Sequence, residues 1–250
     1  MKIAVIGAKG RMGQAVSTAI DAAEDMELVA GLDAGDDLEA VLGATGATHA
    51  VDFTNPGATL NNVITSLRAG VHVVVGTSGW TEEGYRQVRE TAVATGKNAV
   101  IAPNFAISAV LAMKFAALAA PYFESVEVIE MHHPDKVDAP SGTATATAKG
   151  IAAARAAAGI PMAPDNTQFD ELGTRGGKIA GVPVHAVRLR GLYAHQEALL
   201  GNPGEQLVVR TDCFDRAAFM PGVLLALRQV DAHPGLTIGL ESLLGLESNQ

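Results

Sequence analysis

The segment Lys2–Gly13, KIAVIGAKGRMG, determines the architecture of the first part of the chain. Lys2–Ile6 is a short apolar run rich in β-branched residues, which predicts a buried strand. Glycines at positions 7, 10 and 13 follow in the spacing G-x-x-G-x-x-G, and an amphipathic helix is predicted from Arg11. A strand, a glycine turn and a helix N-terminus in this order are typical of a pyrophosphate site, because the free N–H groups of the helix attract an anion.

Short apolar segments alternate with amphipathic segments over residues 1–105. The predicted strands are Lys2–Ile6, Glu27–Leu32, Ala50–Phe53, Val71–Val75 and Ala99–Ala102, and the predicted helices are Arg11–Ala23, Ala58–Ala69 and Glu82–Thr95. Because a helix that joins two parallel strands makes a right-handed crossover, this order predicts an α/β fold with a Rossmann-type, doubly wound parallel sheet.

The pattern changes after residue 105. The predicted elements there are helix Ile107–Ala119, strand Val126–Met131, helix Thr143–Ala158, a loop over Gly159–Gly181, extended runs at Pro183–Arg190, His195–Leu200 and Gln206–Thr211, and helix Asp215–Val230 capped by Asp215. Extended runs joined by glycine-containing turns predict an antiparallel or mixed sheet. We therefore predict a dinucleotide-binding domain over residues 1–105 and 215–250, and a second α+β domain over residues 106–214.

The composition argues against several classes of protein. Lysine and arginine number 18 against 27 acidic residues, and the net charge of −9 argues against a general binder of nucleic acid or anionic membranes. The single cysteine, Cys213, excludes an intrachain disulfide and a cysteine-rich metal site. The start lacks a signal-peptide pattern, and the longest apolar stretch, residues 106–123, is interrupted by Ser108, Lys114 and Pro121. We therefore expect a soluble, cytoplasmic protein.

Asp33 indicates which dinucleotide to expect. It ends the second predicted strand, 20 residues after Gly13, where a carboxylate accepts from a ribose 2′-hydroxyl and repels a 2′-phosphate. Lys9 and Arg11, in the loop itself, would partly neutralise such a phosphate. The sequence thus predicts that NADH is preferred and NADPH is usable. The simpler alternative is a structural turn and helix cap.

Two further polar loops follow predicted strands, after Val75 and after Ile101. The carboxyl ends of parallel strands bind ligands in doubly wound sheets, so these loops are candidates for the nicotinamide and ribose site, although ordinary loop chemistry is the alternative. Asp52–Pro56 is a similar loop. The candidate cofactor-binding residues are Gly7, Ala8, Lys9, Gly10, Arg11, Met12, Asp33, Gly76, Thr77, Ser78, Ala102, Pro103, Asn104 and Phe105.

The densest polar segment is Glu130–Thr143, EMHHPDKVDAPSGT, which we call the reactive segment. Only 18% of the chain is charged, yet two histidines and a lysine lie here within five residues. Histidine titrates near neutral pH, which makes His132, His133 and Lys136 candidates for proton transfer. The predicted helix start at Ser141, Gly142 and Thr143 is a candidate carboxylate site. The alternatives are structural histidines and a plain helix start; no third ligand suggests a metal, so none is expected.

Absent motifs narrow the reaction further. No tyrosine is followed four residues later by lysine, which disfavours the short-chain dehydrogenase mechanism. Cys213 has no base near it in sequence, which disfavours a thioester-forming aldehyde dehydrogenase. Three functions remain: a reductase with a proton donor beside a carboxylate site, a related reductase acting on another small carboxylate, or an NADH-sensing protein without turnover. A sensor needs no proton donor, which favours an enzyme.

Four motifs resemble the 4-hydroxy-tetrahydrodipicolinate reductase (dihydrodipicolinate reductase) family. They are Gly7–Gly13, Gly76–Gly79, Ala102–Phe105 and Glu130–Ala144, the last being highly specific. The likeness runs in order over nearly the whole chain, and Pro183–Leu189 resembles the actinobacterial branch.

The resemblance implies a specific activity. The substrate would be (2S,4S)-4-hydroxy-2,3,4,5-tetrahydrodipicolinate, reduced by NADH or NADPH with loss of water in lysine and diaminopimelate synthesis. His132 and Lys136 match the proposed proton-transfer positions, and His133, Gly142 and Thr143 match the substrate-binding positions. A homotetramer built through the sheet of the second domain is also implied. The sequence departs from the family pattern at Ser78 and Trp80, neither of which matches a proton-transfer position.

Overall fold

The computed structural model describes residues 1–162 and 164–246. Its strands are β1 (Lys2–Ile6), β2 (Glu27–Leu32), β3 (His49–Asp52), β4 (His72–Val75), β5 (Ala99–Ile101), β6 (Ser125–His132), β7 (Gly177–Ile179), β8 (Val182–Arg188), β9 (Ala194–Asn202), β10 (Glu205–Cys213) and β11 (Leu236–Ile238). Its α-helices are α1 (Arg11–Asp21), α2 (Leu38–Thr45), α3 (Thr59–Arg68), α4 (Glu82–Thr95), α5 (Ile107–Ala119), α6 (Gly142–Ala157) and α7 (Met220–Gln229). Short 3₁₀ helices lie at Ala120–Tyr122, Arg216–Phe219 and Val230–Ala232.

The chain forms two compact units. The first unit runs from Met1 to Ala106 and takes up the chain again from Arg216, and the second is Ile107–Asp215. The first unit has a six-stranded parallel sheet in the order β11-β5-β4-β3-β1-β2. Strands β3 and β5 are buried along their whole length; β5 is entirely apolar, and β3 has the polar residues His49 and Asp52 at its two ends. The predicted Rossmann-type sheet is confirmed.

The second unit has a five-stranded sheet in the order β10-β9-β6-β8-β7. β6 and β8 run parallel, and the other neighbours are antiparallel, so the sheet is mixed as predicted. Along β6 buried residues alternate with half-buried ones, since side chains on a strand point to opposite faces. Val126 and Val128 enter the core with Ala148 and Ile151 of α6. Glu130 continues the same buried row.

The sequence patterns missed three elements. Helix α2 has no clear apolar face, and β7 and β11 are only three residues long, too short to show alternation. β7 lies inside the predicted loop Gly159–Gly181, which is therefore wrong at that point. β11 pairs with β5 and adds the last strand to the sheet of the first unit.

The predicted helix Asp215–Val230 is also corrected. The chain first forms the 3₁₀ turn Arg216–Phe219, and α7 begins at Met220 with a proline in its first turn. Proline lacks an N–H donor and suits a helix start better than a helix interior. The N-cap of α7 is Phe219, without a side-chain cap, so Asp215 does not cap this helix.

Candidate active site

The glycine loop, Gly7–Gly13, joins β1 to α1 through a turn that leaves no room for a side chain at Gly7 or Gly13. Gly7 has a φ of +85°, which strains any other residue. A Cβ atom on Gly13 would lie 2.0 Å from the carbonyl oxygen of Gly7. The N–H of Gly10 donates to that same oxygen at 3.0 Å, and Gly10 is the N-cap of α1. The backbone therefore folds back tightly and leaves the N-terminus of α1 at the end of the sheet.

Asp33 lies beside this loop, as the sequence predicts for neighbouring strands. The backbone N–H of Lys9 donates to the Asp33 carboxylate at 3.1 Å. The side chains of Lys9 and Arg11 are exposed, while Ala8 and Met12 are half-buried. The loop thus carries two basic side chains, Lys9 and Arg11, and has the acidic side chain of Asp33 beside it.

The carboxyl ends of β3, β4 and β5 are neighbours, so the other candidate loops share one edge of the sheet. A Cβ on Gly76 would lie 1.9 Å from the ring of Phe53, which in turn lies 5.8 Å from the ring of Phe105. Ser78 and Pro103 are exposed at this edge, Ala102 is buried, and the side chain of Asn104 accepts from the N–H of Ala106 at 2.8 Å.

Asp52 organises this edge, a role that the sequence did not reveal. It is fully buried, and the hydroxyls of Thr54, Thr59 and Thr77 donate to it at 2.9, 3.1 and 2.8 Å. The side-chain amide of Asn62 adds a bond at 2.8 Å. The Thr77 hydroxyl is therefore taken up by Asp52, and it is the exposed Ser78 hydroxyl that faces solvent.

The residues of the first unit fit a dinucleotide. The side-chain-free turn at Gly7 and Gly13 lets a pyrophosphate approach the backbone, and the N-terminus of α1 supplies N–H donors. The Asp33 carboxylate lies at the end of the neighbouring strand, where a ribose hydroxyl could donate to it.

The reactive segment lies in the second unit, at the carboxyl end of β6. His132 is the last residue of the strand, and the backbone N–H of Lys136 donates to the carbonyl of His133 at 3.2 Å, closing a turn. The ammonium of Lys136 pairs with Asp138 at 2.7 Å. The ring of His133 lies 6.2 Å from that of Tyr193. The structure thus brings His132, His133 and Lys136 onto one short loop.

A buried ionic network lies beneath His132. Its Nδ1 lies 2.5 Å from Glu130, whose side chain is fully buried, and Arg188 donates to both Glu130 oxygens at 2.7 and 2.8 Å. Burial raises the pKa of Glu130, but the hydrogen bonds from Arg188 and His132 outweigh it and hold the pKa below its usual range. Glu130 is therefore a carboxylate at neutral pH.

Helix α6 begins at Gly142, so its first two residues are the last two of the reactive segment. Ser141 is its N-cap: the hydroxyl is buried and accepts from the N–H of Ala144 at 3.1 Å. Gly142 and Thr143 form the first turn, where N–H groups point out of the helix and attract an anion. Ser141 thus shapes the helix start, whereas Gly142 and Thr143 are the more exposed residues.

Sequence reasoning did not assign Glu130 or Arg188. Glu130 lies two residues before His132 on the same strand face, and this period of two was the available signal. In the described ranges, 1–162 and 164–246, no group of three or more His, Cys, Asp or Glu side chains is arranged to hold a metal ion. No helix within those ranges has the length and apolar character needed to cross a membrane.

Comparison with known proteins identifies both units. The family model "Dihydrodipicolinate reductase, N-terminus" matches residues 1–105, and "Dihydrodipicolinate reductase, C-terminus" matches residues 108–244. The 4-hydroxy-tetrahydrodipicolinate reductase of Bifidobacterium animalis subsp. lactis is 60% identical over 98% of this chain and all of its own. That of Streptomyces coelicolor is 57% identical over 98% of each chain.

A comparison with solved structures also finds a dihydrodipicolinate reductase. Dipicolinate-bound dihydrodipicolinate reductase from Paenisporosarcina sp. TG-14 is 38% identical, with a TM-score of 0.88 over 97% of this chain and 98% of that one. An amine dehydrogenase from Mycobacterium smegmatis is 13% identical, with a TM-score of 0.61 over 95% of this chain and 94% of that one, and shares the fold.

Proposed function

This chain belongs to the dihydrodipicolinate reductase family, and we propose that it is a 4-hydroxy-tetrahydrodipicolinate reductase of lysine and diaminopimelate synthesis. In the reaction, 4-hydroxy-tetrahydrodipicolinate, NAD(P)H and a proton give tetrahydrodipicolinate, NAD(P)⁺ and water. The family match over both units carries this proposal, and the loop holding His132 and Lys136 beside a helix N-terminus supports it.

The first unit would hold the cofactor. NADH or NADPH, when bound, supplies the hydride. Backbone N–H groups of Arg11 and Met12 in the first turn of α1 would bind the pyrophosphate, with the exposed Lys9 and Arg11 side chains adding positive charge. Asp33 would accept from the ribose 2′-hydroxyl, so NADH is preferred and NADPH remains usable. The loops at Gly76–Ser78 and Ala102–Phe105 would line the nicotinamide and ribose.

The second unit would hold the dicarboxylate and supply the proton. The N–H groups of Gly142 and Thr143, in the turn capped by Ser141, suit one carboxylate, and His133 adds a donor. Lys136, whose present partner Asp138 is exposed at the surface, can exchange that ion pair for a substrate group and donate a proton. His132 is the second proton-transfer group.

We further propose a homotetramer in the cytoplasm, joined through the sheet of the second unit. Apolar side chains of β8 and β10 support this assembly, because Val187, Leu207 and Val208 are 38, 39 and 45% exposed. Light scattering of the purified chain gives its mass in solution directly. A mass of one 25.7 kDa chain would contradict the tetramer.

A coupled assay tests the activity. The preceding enzyme's product, 4-hydroxy-tetrahydrodipicolinate, is supplied with NADH, and NADH loss is followed by absorbance. We expect turnover with this substrate and little with a panel of other small oxo- and imino-carboxylates. Turnover only with another member of the panel would instead identify a different reductase, and NADH binding without any turnover would identify a sensor.

A further inference from the structure

One buried carboxylate connects the parts of the reactive segment. The Glu130 Oε2 atom accepts hydrogen bonds from His132 Nδ1 and from Arg188. Its Oε1 atom accepts hydrogen bonds from Arg188 and, at 3.3 Å, from the backbone N–H of Ser141. Arg188 also donates to the backbone carbonyl of Asp138 at 2.8 Å. Glu130 and Arg188 therefore link the end of β6, the loop of Lys136 and the start of α6.

This arrangement determines the tautomer of His132. An ionised carboxylate only accepts hydrogen bonds, so the Nδ1 atom that contacts Glu130 must carry a proton. Burial lowers the pKa of His132 below its ordinary value; Glu130 raises it in part, and the positive charges of Lys136 and Arg188 lower it. The ring is therefore neutral at neutral pH, and its Nε2 atom has the free lone pair.

We propose that Glu130 is a positioning residue, which fixes His132 as the Nδ1–H tautomer so that Nε2 is the nitrogen that exchanges a proton with the substrate. This role rests on the proposed function, but the tautomer itself does not depend on turnover. The resting His132 is then a proton acceptor at Nε2, and it becomes a donor only after it takes up a proton. Lys136, which pairs with Asp138, is the other candidate for proton transfer.

The same strand offers a matched control. Glu127, three residues before Glu130, contacts His185 Nε2 at 2.7 Å and Arg175 at 2.6 Å. It has the same partner types, but it lies on the opposite face of β6 and is partly exposed. Glu127→Gln therefore removes a similar charge without touching the reactive segment.

The first test is the pH profile of kcat/KM for wild type, Glu130→Gln and Glu127→Gln. Removing the carboxylate lowers the pKa of His132, so the limb of the profile due to His132 should move to lower pH by about one pH unit. The sign is the same whether the reaction needs the protonated or the neutral ring. Glu127→Gln should leave that limb in place. An equal loss of activity at every pH in Glu130→Gln would overturn the proposal, since a merely structural role predicts it.

A double-mutant cycle separates action through His132 from a general effect on folding. In a His132→Ala background, Glu130→Gln should change kcat less than twofold, because the residue through which it acts is gone. A further large loss in that background would contradict the proposal.

The second readout uses wild-type protein labelled with ¹⁵N-histidine, with the His132 signals assigned by their loss in His132→Gln. We expect Nδ1 protonated and Nε2 unprotonated. The reverse pattern would overturn the proposal even if Glu130→Gln failed to fold or no reductase activity were found. Inactive wild-type protein with the expected tautomer would refute the proposed function and leave the positioning of His132 by Glu130 intact.

Discussion

The glycine loop and the reactive segment are built by opposite means. In the glycine loop the absence of side chains shapes the backbone, as the 2.0 Å approach of a Cβ on Gly13 to the Gly7 carbonyl shows. In the reactive segment charged side chains do this work, through Glu130 and Arg188. The comparison teaches that, under the proposed function, phosphates are held mainly by backbone N–H groups, whereas proton transfer needs side chains held by other side chains.

Changing Lys136 should have the largest effect. Lys136→Ala removes the charged proton donor, and kcat should fall roughly 10²- to 10⁴-fold, the usual range for loss of a general acid. Steady-state kinetics in the coupled assay measures this. Lys178→Ala is the control, because Lys178 also pairs with an aspartate in the second unit, at 3.6 Å from Asp165. Near-wild-type turnover of Lys136→Ala would remove this residue from the mechanism.

Adding one methyl group to the glycine loop should have the next largest effect. Gly13→Ala forces the loop to shift. If the cofactor binds only to the original loop geometry, restoring that geometry costs about 1–3 kcal/mol of binding free energy, and NADH binding weakens by roughly tenfold to a hundredfold. Gly43→Ala is the control: Gly43 is also helical, has open space around it, and should slightly stabilise α2. NADH fluorescence titration measures both, and an unchanged Kd for Gly13→Ala would show that the loop does not bind the cofactor.

The first turn of α6 gives a smaller effect. Thr143→Val keeps the shape but removes a hydroxyl, and KM for the dicarboxylate should rise about tenfold with little change in kcat. Thr145→Val, two positions along the same helix, should leave KM unchanged. If the two variants behave alike, the helix start is not the carboxylate site.

The smallest effect concerns the choice of cofactor. Asp33→Asn keeps the size of the side chain and removes its charge, so the ratio of the KM values for NADPH and NADH should fall by about tenfold or less. Asp37→Asn is the control, because asparagine also caps α2 well. A roughly hundredfold preference of the wild-type protein for NADPH would contradict the proposed role of Asp33 as acceptor for the ribose 2′-hydroxyl.

The structure of the glycine loop could be predicted from the sequence more fully than that of the reactive segment, for a physical reason. The glycine spacing, the strand before it and the acidic residue after β2 are local features, so the glycine loop could be predicted closely, although α2 and β11 of the same unit were missed. The pairing of Glu130 with Arg188 joins residues 58 positions apart and depends on the register of β6 against β8. No local pattern specifies such a register. The surroundings of Asp52 were hidden only in part for this reason: Thr54 and Thr59 are near it in sequence, whereas the contact with Thr77, 25 positions away, depends on the pairing of β3 with β4.

The placement of β11 has a consequence for the order in which the two units fold during synthesis. When the ribosome has made residues 1–106, the sheet of the first unit still lacks its edge strand, and β5 exposes unpaired backbone groups. All of Ile107–Asp215 must emerge before α7 and β11 exist. The second unit, which is continuous in sequence, can therefore finish folding first during synthesis on the ribosome. The first unit can be completed only after the second has been synthesised.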